Sequence, residues 1–327
     1  MLRIGLLGAS RIAPKAVLAP AAGAPAFAVT AVAARDPERA QAYALQHAIP
    51  AATSGYAALL ARDDVDIVYV GLPPSAHAQW TIAALEAGKA VLCEKPFARN
   101  AAEARAMVAA AERAGRPLLE AFHYRFHSVM RRAQALVASG ALGRVLSARA
   151  AFEIPIAHGP AELRWRADKG GGALMDLGCY PLHALRTLIG EEPEITAAEA
   201  EFVDGVDEAM RAELAFPSGA QARLSCSMAP QERVAVVRLE AERGSLEIVN
   251  FVAPQIGARF TTVIDGVTTE HDTEGPTSFE AQLDHLRAVM LESAAPLTGG
   301  ADAVANMAAI DAIYQRARQR QANRSSD

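Results

Sequence analysis

The chain has 327 residues, of which 51% are hydrophobic and 21% are charged, so it is long enough for two globular domains with large cores. Its net charge of -5 gives no general attraction for nucleic acid or for an anionic membrane, and neither is expected as a partner. Three dispersed cysteines, Cys93, Cys179 and Cys226, argue against a disulfide framework or a cysteine-rich metal site and predict reduced thiols in a cytoplasmic protein.

The apolar start of the chain resembles an export signal or a membrane span only superficially. The run after Met1 is a few residues long and breaks at glycines, as a buried strand does when it enters a turn. The uncharged segment 16–34 is interrupted by Pro20, Gly23 and Pro25, which favours a helix, a loop and a strand over a span.

Residues 1–121 alternate between short apolar segments and longer alanine-rich segments with helical spacing. This alternation predicts βαβ units and a parallel sheet that is buried on both faces. Asp36 and Asn100 are expected to cap helices, Ser75 to cap a third, and Gly88 and Gly115 to end helices. The predicted strands are 2–7, 28–33, 66–70, 89–93 and 117–121, and the predicted helices are 12–22, 37–46, 76–87 and 101–114.

The pattern changes after residue 125. A helix over 127–142 and a strand over 144–152 precede another helix, which starts near Leu174 after the flexible glycine run 170–172. Alternating segments with turn signals over 194–267 predict an antiparallel meander with one face covered by helices. Two helices, 278–292 and 301–318, close the chain. We therefore expect a second, α+β domain with a large open and mostly antiparallel sheet.

The first strand leads directly into a turn of small residues, Gly8-x-Ser10-x-x-Ala13. A dinucleotide-binding turn needs a tight bend, a close approach of the backbone to the pyrophosphate, and a small residue where the helix packs on the strand. Gly8 and Ala13 meet these needs, and Ser10 adds one Cβ where glycine is commoner. The alternative is an ordinary turn that opens a helix.

The second predicted strand ends in Ala34 and Arg35, with Arg39 one helical turn later. Enzymes that use NAD usually place a carboxylate here to bind the ribose hydroxyls. An arginine in that place suits the 2′-phosphate of NADP, because the planar guanidinium binds phosphate by two parallel hydrogen bonds. The sequence predicts a preference for NADP(H), and the alternative is a solvated arginine at a strand end.

The segment LMDLGCYPLHAL places Asp176, Tyr180 and His183 among apolar residues at helical spacing. Polar groups on one face of an apolar helix are costly unless something satisfies them. Lys95 follows a predicted strand, at the sheet edge where parallel folds bind ligands. A neighbouring ammonium lowers the pKa of a phenol, so Lys95 and Tyr180 form a plausible acid/base pair, with Asp176 holding the lysine or binding a substrate hydroxyl.

Each of these residues also has a structural interpretation. Lys95 could lie in a surface turn, Tyr180 could be a packing residue, and His183 could be an interior histidine rather than a group that binds substrate or orients Tyr180. Arg164 and Arg166, on either side of Trp165, could line the substrate mouth or could be a solvated pair. His123 and His127 have helical metal-ligand spacing but lack a third ligand, so no metal site is expected.

Four segments together resemble the glucose-fructose oxidoreductase/inositol dehydrogenase/MocA family, nearest its NADP-dependent dihydrodiol and xylose dehydrogenases. They are GLLGASRIA (5–13), GLPPSAHAQWTIAALEAGKAVLCEKP (71–96), EAFHYRFH (120–127) and GGGALMDLGCY (170–180). The resemblance implies a Rossmann domain over 1–122 and an α+β substrate and oligomerisation domain over 123–327, whose last helix packs back on the first domain. It also implies a homodimer or homotetramer formed through the second sheet.

The resemblance assigns catalytic roles to Lys95, Asp176 and Tyr180; many relatives carry histidine in place of Tyr180. It implies an NAD(P)-dependent oxidoreductase acting on a sugar, polyol or dihydrodiol. The alternatives are a non-catalytic NADP-sensing regulator, or a reductase of C=N or nucleotide-sugar ketone substrates. The expected cofactor residues are Gly8, Ala9, Ser10, Arg11, Ile12, Arg35, Arg39, Leu72, Pro73, His77, Glu94 and Lys95, and the expected substrate residues are His183, Arg164 and Trp165.

Overall fold

The computed structural model describes residues 1–159 and 162–324, and the chain divides into two compact units. The first unit contains 1–123 and 279–304, and the second contains 124–278 and the chain from 305 onward. The division at 123/124 lies one residue from the expected boundary. Residues 279–304, which the sequence assigned to the second domain, belong instead to the first unit.

The first unit is built on six parallel strands in the order β3-β2-β1-β4-β5-β6. This is the doubly wound arrangement that the βαβ alternation predicts. The short, alanine-rich edge strand β3 was not predicted, because alanine has low strand propensity. The strands are β1 (Leu2–Leu7), β2 (Phe27–Ala34), β3 (Ala51–Ser54), β4 (Ile67–Val70), β5 (Ala90–Cys93) and β6 (Leu118–Glu120).

The helices of this unit are α1 (Ala19–Ala22), continuing a π-helical turn at Pro14–Leu18, α2 (Pro37–Gln46), α3 (Tyr56–Leu60), α4 (Pro74–Glu86) and α5 (Ala101–Ala114). Helices α2, α4 and α5 follow the predicted segments closely, whereas α3 was not predicted and the predicted helix 12–22 begins as a π-helical turn. Asp36 caps α2 by accepting from the Glu38 N–H at 3.0 Å, and Asn100 caps α5 through the Glu103 N–H at 2.9 Å. The expectation for Ser75 was wrong, because its helix already begins at Pro74.

The second unit contains an eight-stranded sheet in the order β14-β13-β12-β11-β7-β10-β9-β8. The predicted meander is interrupted, because β7 lies in the middle of the sheet, parallel to β10 and antiparallel to β11. The strands are β7 (Val145–Glu153), β8 (Glu194–Val203), β9 (Val206–Ala215), β10 (Gln221–Ser227), β11 (Val234–Ala241), β12 (Gly244–Val249), β13 (Arg259–Ile264) and β14 (Val267–His271).

The segment with Asp176 and Tyr180 packs against the central strands β7 and β10. It begins as a π-helical turn, Leu174–Gly178, and continues as an α-helix. Asp176 therefore precedes the regular helix, and the α-helical angles inferred from the sequence do not apply to it. The remaining helices are α6 (Ser128–Ala138), α7 (Cys179–Ile189), α8 (Ser278–Leu291) and α9 (Gly300–Arg324).

Helix α8 explains why 279–304 belongs to the first unit. Its Leu283, Leu286 and Val289 are buried in the same core cluster as Leu2 and Leu6 of β1. Burying three such side chains contributes several kcal/mol, on the order of 1.5–3 kcal/mol for each. Within the described residues, no helix is long and apolar enough to cross a membrane.

Candidate active site

The turn after β1 has the geometry that a dinucleotide-binding turn needs. Gly8 adopts a φ of 104°, and a Cβ added there would lie 2.7 Å from the carbonyl oxygen of Gly71, so only glycine fits. Ser10 turns its hydroxyl toward the following helix, where it accepts from the Ala13 N–H at 3.3 Å. The hydroxyl thus acts as a local cap, which explains how serine replaces the commoner glycine.

Two arginines lie at the tip of β2, and both are exposed. Burial raises the pKa of the Tyr56 phenol. The charges of Arg35 and Arg39, and a hydrogen bond between Arg35 and Tyr56, act in the opposite direction. Arg39 also donates to the carbonyl oxygen of Ala9 at 2.9 Å. A tight glycine turn beside two exposed guanidinium groups fits a dinucleotide with a 2′-phosphate.

Glu94 and Lys95 follow the carboxyl end of β5, where the sequence places them. Glu94 accepts a hydrogen bond from the hydroxyl of Tyr69 at 2.7 Å, which fixes its carboxylate beside β4. Lys95 is partly exposed, and its peptide bond to Pro96 is cis. The lysine therefore lies at the sheet edge, accessible to a ligand, rather than inside the core.

His77 is fully buried and joins two loops at the same edge of the sheet. Its Nδ1 lies 2.9 Å from the Pro96 carbonyl oxygen and its Nε2 lies 2.7 Å from that of Leu72. Burial lowers the pKa of His77, and the positive charge of Lys95 lowers it further. Pro73, the residue after Leu72, occupies the N-cap of α4. His77 thus connects the loop after β4 to the loop that carries Lys95.

Tyr180 lies in the first turn of α7 and is 5% exposed. Its ring makes edge-to-face contacts with Tyr124 and Phe152, at centroid distances of 5.7 and 5.6 Å. Aromatic pairs prefer this edge-to-face arrangement. Tyr180 is therefore packed between two aromatic rings at the start of α7.

His183 is 1% exposed, and its Nδ1 lies 2.6 Å from the hydroxyl of Tyr124. Tyr124 also flanks the ring of Tyr180. The geometry thus links His183 to Tyr180 through an intervening ring. The sequence did not identify Tyr124, because 59 residues separate it from His183.

Asp176 forms an ion pair with a predicted substrate residue. The Nε of Arg164 donates to Oδ2 of Asp176 at 2.6 Å, and Nη1 of Arg164 lies 3.2 Å from Oε1 of Glu162. The Asp176 side chain is 19% exposed and that of Arg164 is 40% exposed. Arg164 therefore fixes the Asp176 carboxylate from one side, and Glu162, which the sequence did not identify, fixes Arg164.

Trp165 is buried, with its indole N–H donating to the Ile156 carbonyl oxygen at 3.2 Å. Its ring lies 4.7 Å from that of His158. These contacts give Trp165 a structural role in anchoring the loop that carries Arg164.

A buried aspartate anchors the start of the segment that carries Asp176. Asp207 is 1% exposed and accepts from the Leu174 N–H at 2.6 Å and from the Tyr314 hydroxyl at 2.7 Å. A Cβ on Gly172, whose φ is 126°, would lie 2.1 Å from Oδ1 of Asp207. Close packing and the positive φ therefore require glycine at position 172.

Other histidines and the cysteines have structural surroundings. The His123 ring lies 4.0 Å from that of Phe279, and His127 caps α6 by accepting from the Val129 N–H at 3.3 Å. The free cysteines are buried, and burial raises the pKa of the Cys93 and Cys226 thiols.

The structure thus assembles two groups of predicted residues, one in each unit. In the first unit, the turn 8–12 follows β1, and Arg39 contacts it at Ala9. His77 connects Leu72 to the loop that carries Lys95. In the second unit, Arg164 pairs with Asp176, one helical turn before Tyr180.

Comparisons with known proteins identify a family for both units of the chain. Residues 2–122 match the model of an oxidoreductase family with an NAD-binding Rossmann fold, and residues 130–247 match the GFO/IDH/MocA C-terminal domain. The D-xylose 1-dehydrogenase (NADP(+)) 2 of Haloferax volcanii is 36% identical over 96% of this chain and 96% of its own.

Two solved structures share the fold over nearly the whole chain. The aldose-aldose oxidoreductase of Caulobacter crescentus, complexed with glycerol, has a TM-score of 0.90 and 32% identity, over 97% of this chain and 98% of that one. The 3-ketoreductase KijD10 of Actinomadura kijaniata, in complex with NADP and TDP-benzene, has a TM-score of 0.88 and 28% identity, over 96% and 97%. KijD10 has also been solved with a lysine or a tyrosine replaced. This chain therefore belongs to the GFO/IDH/MocA family of oxidoreductases.

Proposed function

We propose that this protein is an NADP-dependent oxidoreductase that interconverts a hydroxyl and a carbonyl group on a sugar, a polyol or a dihydrodiol. The observation that carries the proposal is the held pair on the second unit: Asp176 fixed by Arg164, and Tyr180 fixed between two aromatic rings.

In this proposal Tyr180 is the acid/base. Alcohol oxidation requires loss of the hydroxyl proton, and carbonyl reduction requires its return. The phenol oxygen of Tyr180 takes or gives that proton, and the bound nicotinamide accepts or supplies the hydride. Because contacts with Tyr124 and Phe152 fix the ring, the hydroxyl needs little reorganisation during the reaction.

Lys95 supplies a positive charge that favours the phenolate form of Tyr180. We assign Asp176 the binding of a substrate hydroxyl. Arg164 holds its Oδ2, and Asp176 lies four residues before Tyr180 on the same segment. The replaced lysine and tyrosine of KijD10 are separated along that chain by almost the same number of residues as Lys95 and Tyr180. This spacing supports a shared pair of functional positions.

The preference for NADP(H) rests on Arg35 and Arg39, the exposed guanidinium groups at the tip of β2. The xylose dehydrogenase relative is named for NADP(+), and the KijD10 structure holds NADP. Equal kcat/KM with NAD+ and NADP+ would contradict this part of the proposal.

The test is turnover of NADP+ or NADPH with a panel of aldoses, polyols and dihydrodiols, for the wild type and Tyr180→Phe. We expect turnover with at least one class of substrate, and a loss in the variant of about 10²–10⁴-fold in kcat, the size of a positioned acid/base contribution. The Kd for NADP+ should stay within about twofold. A variant with near-wild-type kcat would contradict the role of Tyr180.

A second candidate is reduction of a nucleotide-sugar ketone, which the similarity to the 3-ketoreductase KijD10 favours. The same panel separates the two candidates if it includes a dTDP-linked ketosugar with NADPH. Turnover of that substrate alone would favour this candidate. Dinucleotide binding without turnover of any substrate would favour a regulatory protein, the remaining alternative.

We also propose a homo-oligomer formed through the second sheet. The face of its central strands carries arginines and glutamates beside one another around a groove of about 660 Å³, lined by Arg149, Arg223, Arg238, Glu213 and Glu240 among others. Arg223 pairs with Glu213 and Arg238 with Glu240 within the chain, so charge repulsion does not oppose the pairing of two copies across this face by a twofold axis. Light scattering coupled to size-exclusion chromatography tests this, and a monomer of 34.4 kDa would contradict it.

A further inference from the structure

Helix α2 contacts the turn after β1 through two side chains that are one helical turn apart. Arg39 Nη2 donates to the Ala9 carbonyl oxygen at 2.9 Å, and the Tyr43 hydroxyl donates to the Ser10 carbonyl oxygen at 3.0 Å. Side chains four residues apart share one face of a helix. Two consecutive carbonyl groups of the turn are therefore bound by the same face of α2.

These two bonds also determine where the neighbouring N–H groups point. In a trans peptide unit the C=O and the N–H lie in one plane and point in opposite directions. The N–H groups of Ser10 and Arg11 share their peptide units with the two bound carbonyls, so they point away from α2. A Rossmann turn offers backbone N–H groups of this kind to the pyrophosphate.

Tyr43 is suited to be a permanent donor. It is half-buried, and its ring packs against the cluster of Ala9, Ala34 and Ala40. Burial raises the pKa of Tyr43 to about 12, so the phenol keeps its proton at any pH at which the protein works. The bond to Ser10 is consequently present throughout that range.

We propose that Arg39 and Tyr43 are positioning residues that hold the turn in the conformation that binds pyrophosphate. The inference rests on the proposed dinucleotide function. Arg39 has a second consequence, because the same guanidinium group lies near Arg35 and Tyr56, where the 2′-phosphate is expected. Occupation of the 2′-phosphate site and order in the turn are thereby linked through one side chain.

The test is the Kd of NADP+ and of NAD+, measured by isothermal titration calorimetry on the full chain. Tyr43→Phe removes one hydrogen bond and should raise both Kd values by the same factor, about fivefold, which corresponds to the usual net strength of such a bond. Thr30→Val is the matched control, because it removes a hydroxyl bond to the Asp64 carbonyl oxygen in the same unit, outside the turn, and should leave both Kd values unchanged.

Two arginine variants distinguish the effect of the hydrogen bond to the turn from the effect of binding the 2′-phosphate. NAD+ lacks this phosphate, so a higher Kd for NAD+ in Arg39→Ala reports the loss of the bond to Ala9. Arg35→Ala should weaken NADP+ much more than NAD+, because Arg35 bonds Tyr56 and not the turn. An Arg39→Ala variant that binds NAD+ as the wild type does would overturn the linkage.

Tyr43→Phe with a lower Tm but unchanged Kd values would show a merely structural role and would overturn the proposal. If the wild type binds neither dinucleotide, the proposed function fails, and amide hydrogen exchange over residues 8–13 of the free protein decides the inference separately. Faster exchange in Tyr43→Phe than in Thr30→Val supports it, and equal exchange refutes it.

Discussion

The Nε of Arg164 lies 2.6 Å from Oδ2 of Asp176, and this ion pair determines how the proposed catalytic carboxylate is presented. Charge-assisted bonds of this length are short and directional. Arg164, expected to contact substrate, thus acts on Asp176 in the structure.

Replacing Arg164 by alanine should lower kcat/KM by roughly tenfold to a hundredfold, because Asp176 would lose its fixed orientation. Arg164→Lys should give an intermediate loss, since lysine keeps the charge but not the planar donor. Steady-state kinetics with the best substrate of the panel measures this. The matched control is Arg243→Ala, which breaks an exposed ion pair with Asp265 in the same unit. Equal effects of Arg164→Ala and Arg243→Ala would refute the role.

Lys95→Met should move the rising limb of the pH–rate profile for alcohol oxidation to higher pH. In the proposed mechanism, oxidation needs the phenolate form of Tyr180, and the proposed role of the Lys95 ammonium is to favour that form. Removing the charge therefore requires a more alkaline solution to reach the same fraction of phenolate. The measurement is kcat against pH at saturating cofactor. An unshifted limb, with only a lower maximum, would assign Lys95 a different role.

Asp207 should make stability fall as pH rises. Burial raises the pKa of Asp207 from 3.8 to about 6, so between these values the folded state binds more protons than the unfolded chain. The stabilisation is fully present below about pH 4 and is lost through about pH 6. Because one pKa unit corresponds to about 1.36 kcal/mol, the rise from 3.8 to about 6 contributes about 3 kcal/mol to the free energy of unfolding.

Asp207→Asn should remove this contribution while keeping an acceptor for the Leu174 N–H. Urea unfolding at pH 4–7 measures the effect, followed in a Trp80→Phe background so that Trp165 reports the second unit. The difference in unfolding free energy between the two proteins should change by about 3 kcal/mol over this range. Parallel pH profiles would contradict the expectation.

Much of the first unit could be predicted from the sequence because its determinants are local. The alternation of apolar and alanine-rich segments gave five of the six strands, and Asp36 and Asn100 act as caps at the predicted positions. A strand or a cap depends on a few neighbouring residues. The edge strand β3 escaped prediction because four residues with two alanines carry almost no pattern.

The second unit shows where local patterns stop being informative. Alternation over 194–267 predicted an antiparallel meander and 144–152 a separate strand. The insertion of that strand, β7, between β10 and β11 depends on pairing between segments distant in the chain. The π-helical turn at Leu174–Gly178 likewise changed the angle between Asp176 and Tyr180 that helical spacing implied.

By itself, the sequence determined the parallel first sheet, the small-residue turn after its first strand, and the residue types at the candidate site. Only the tertiary structure decided their partners: Arg164 for Asp176, Tyr124 for His183 and Tyr43 for the turn at Ser10. The physical reason is that periodicity and capping are set by neighbouring residues. The partner of a polar side chain is instead set by which distant segments pack together, and hydrophobic burial across the whole unit controls that packing.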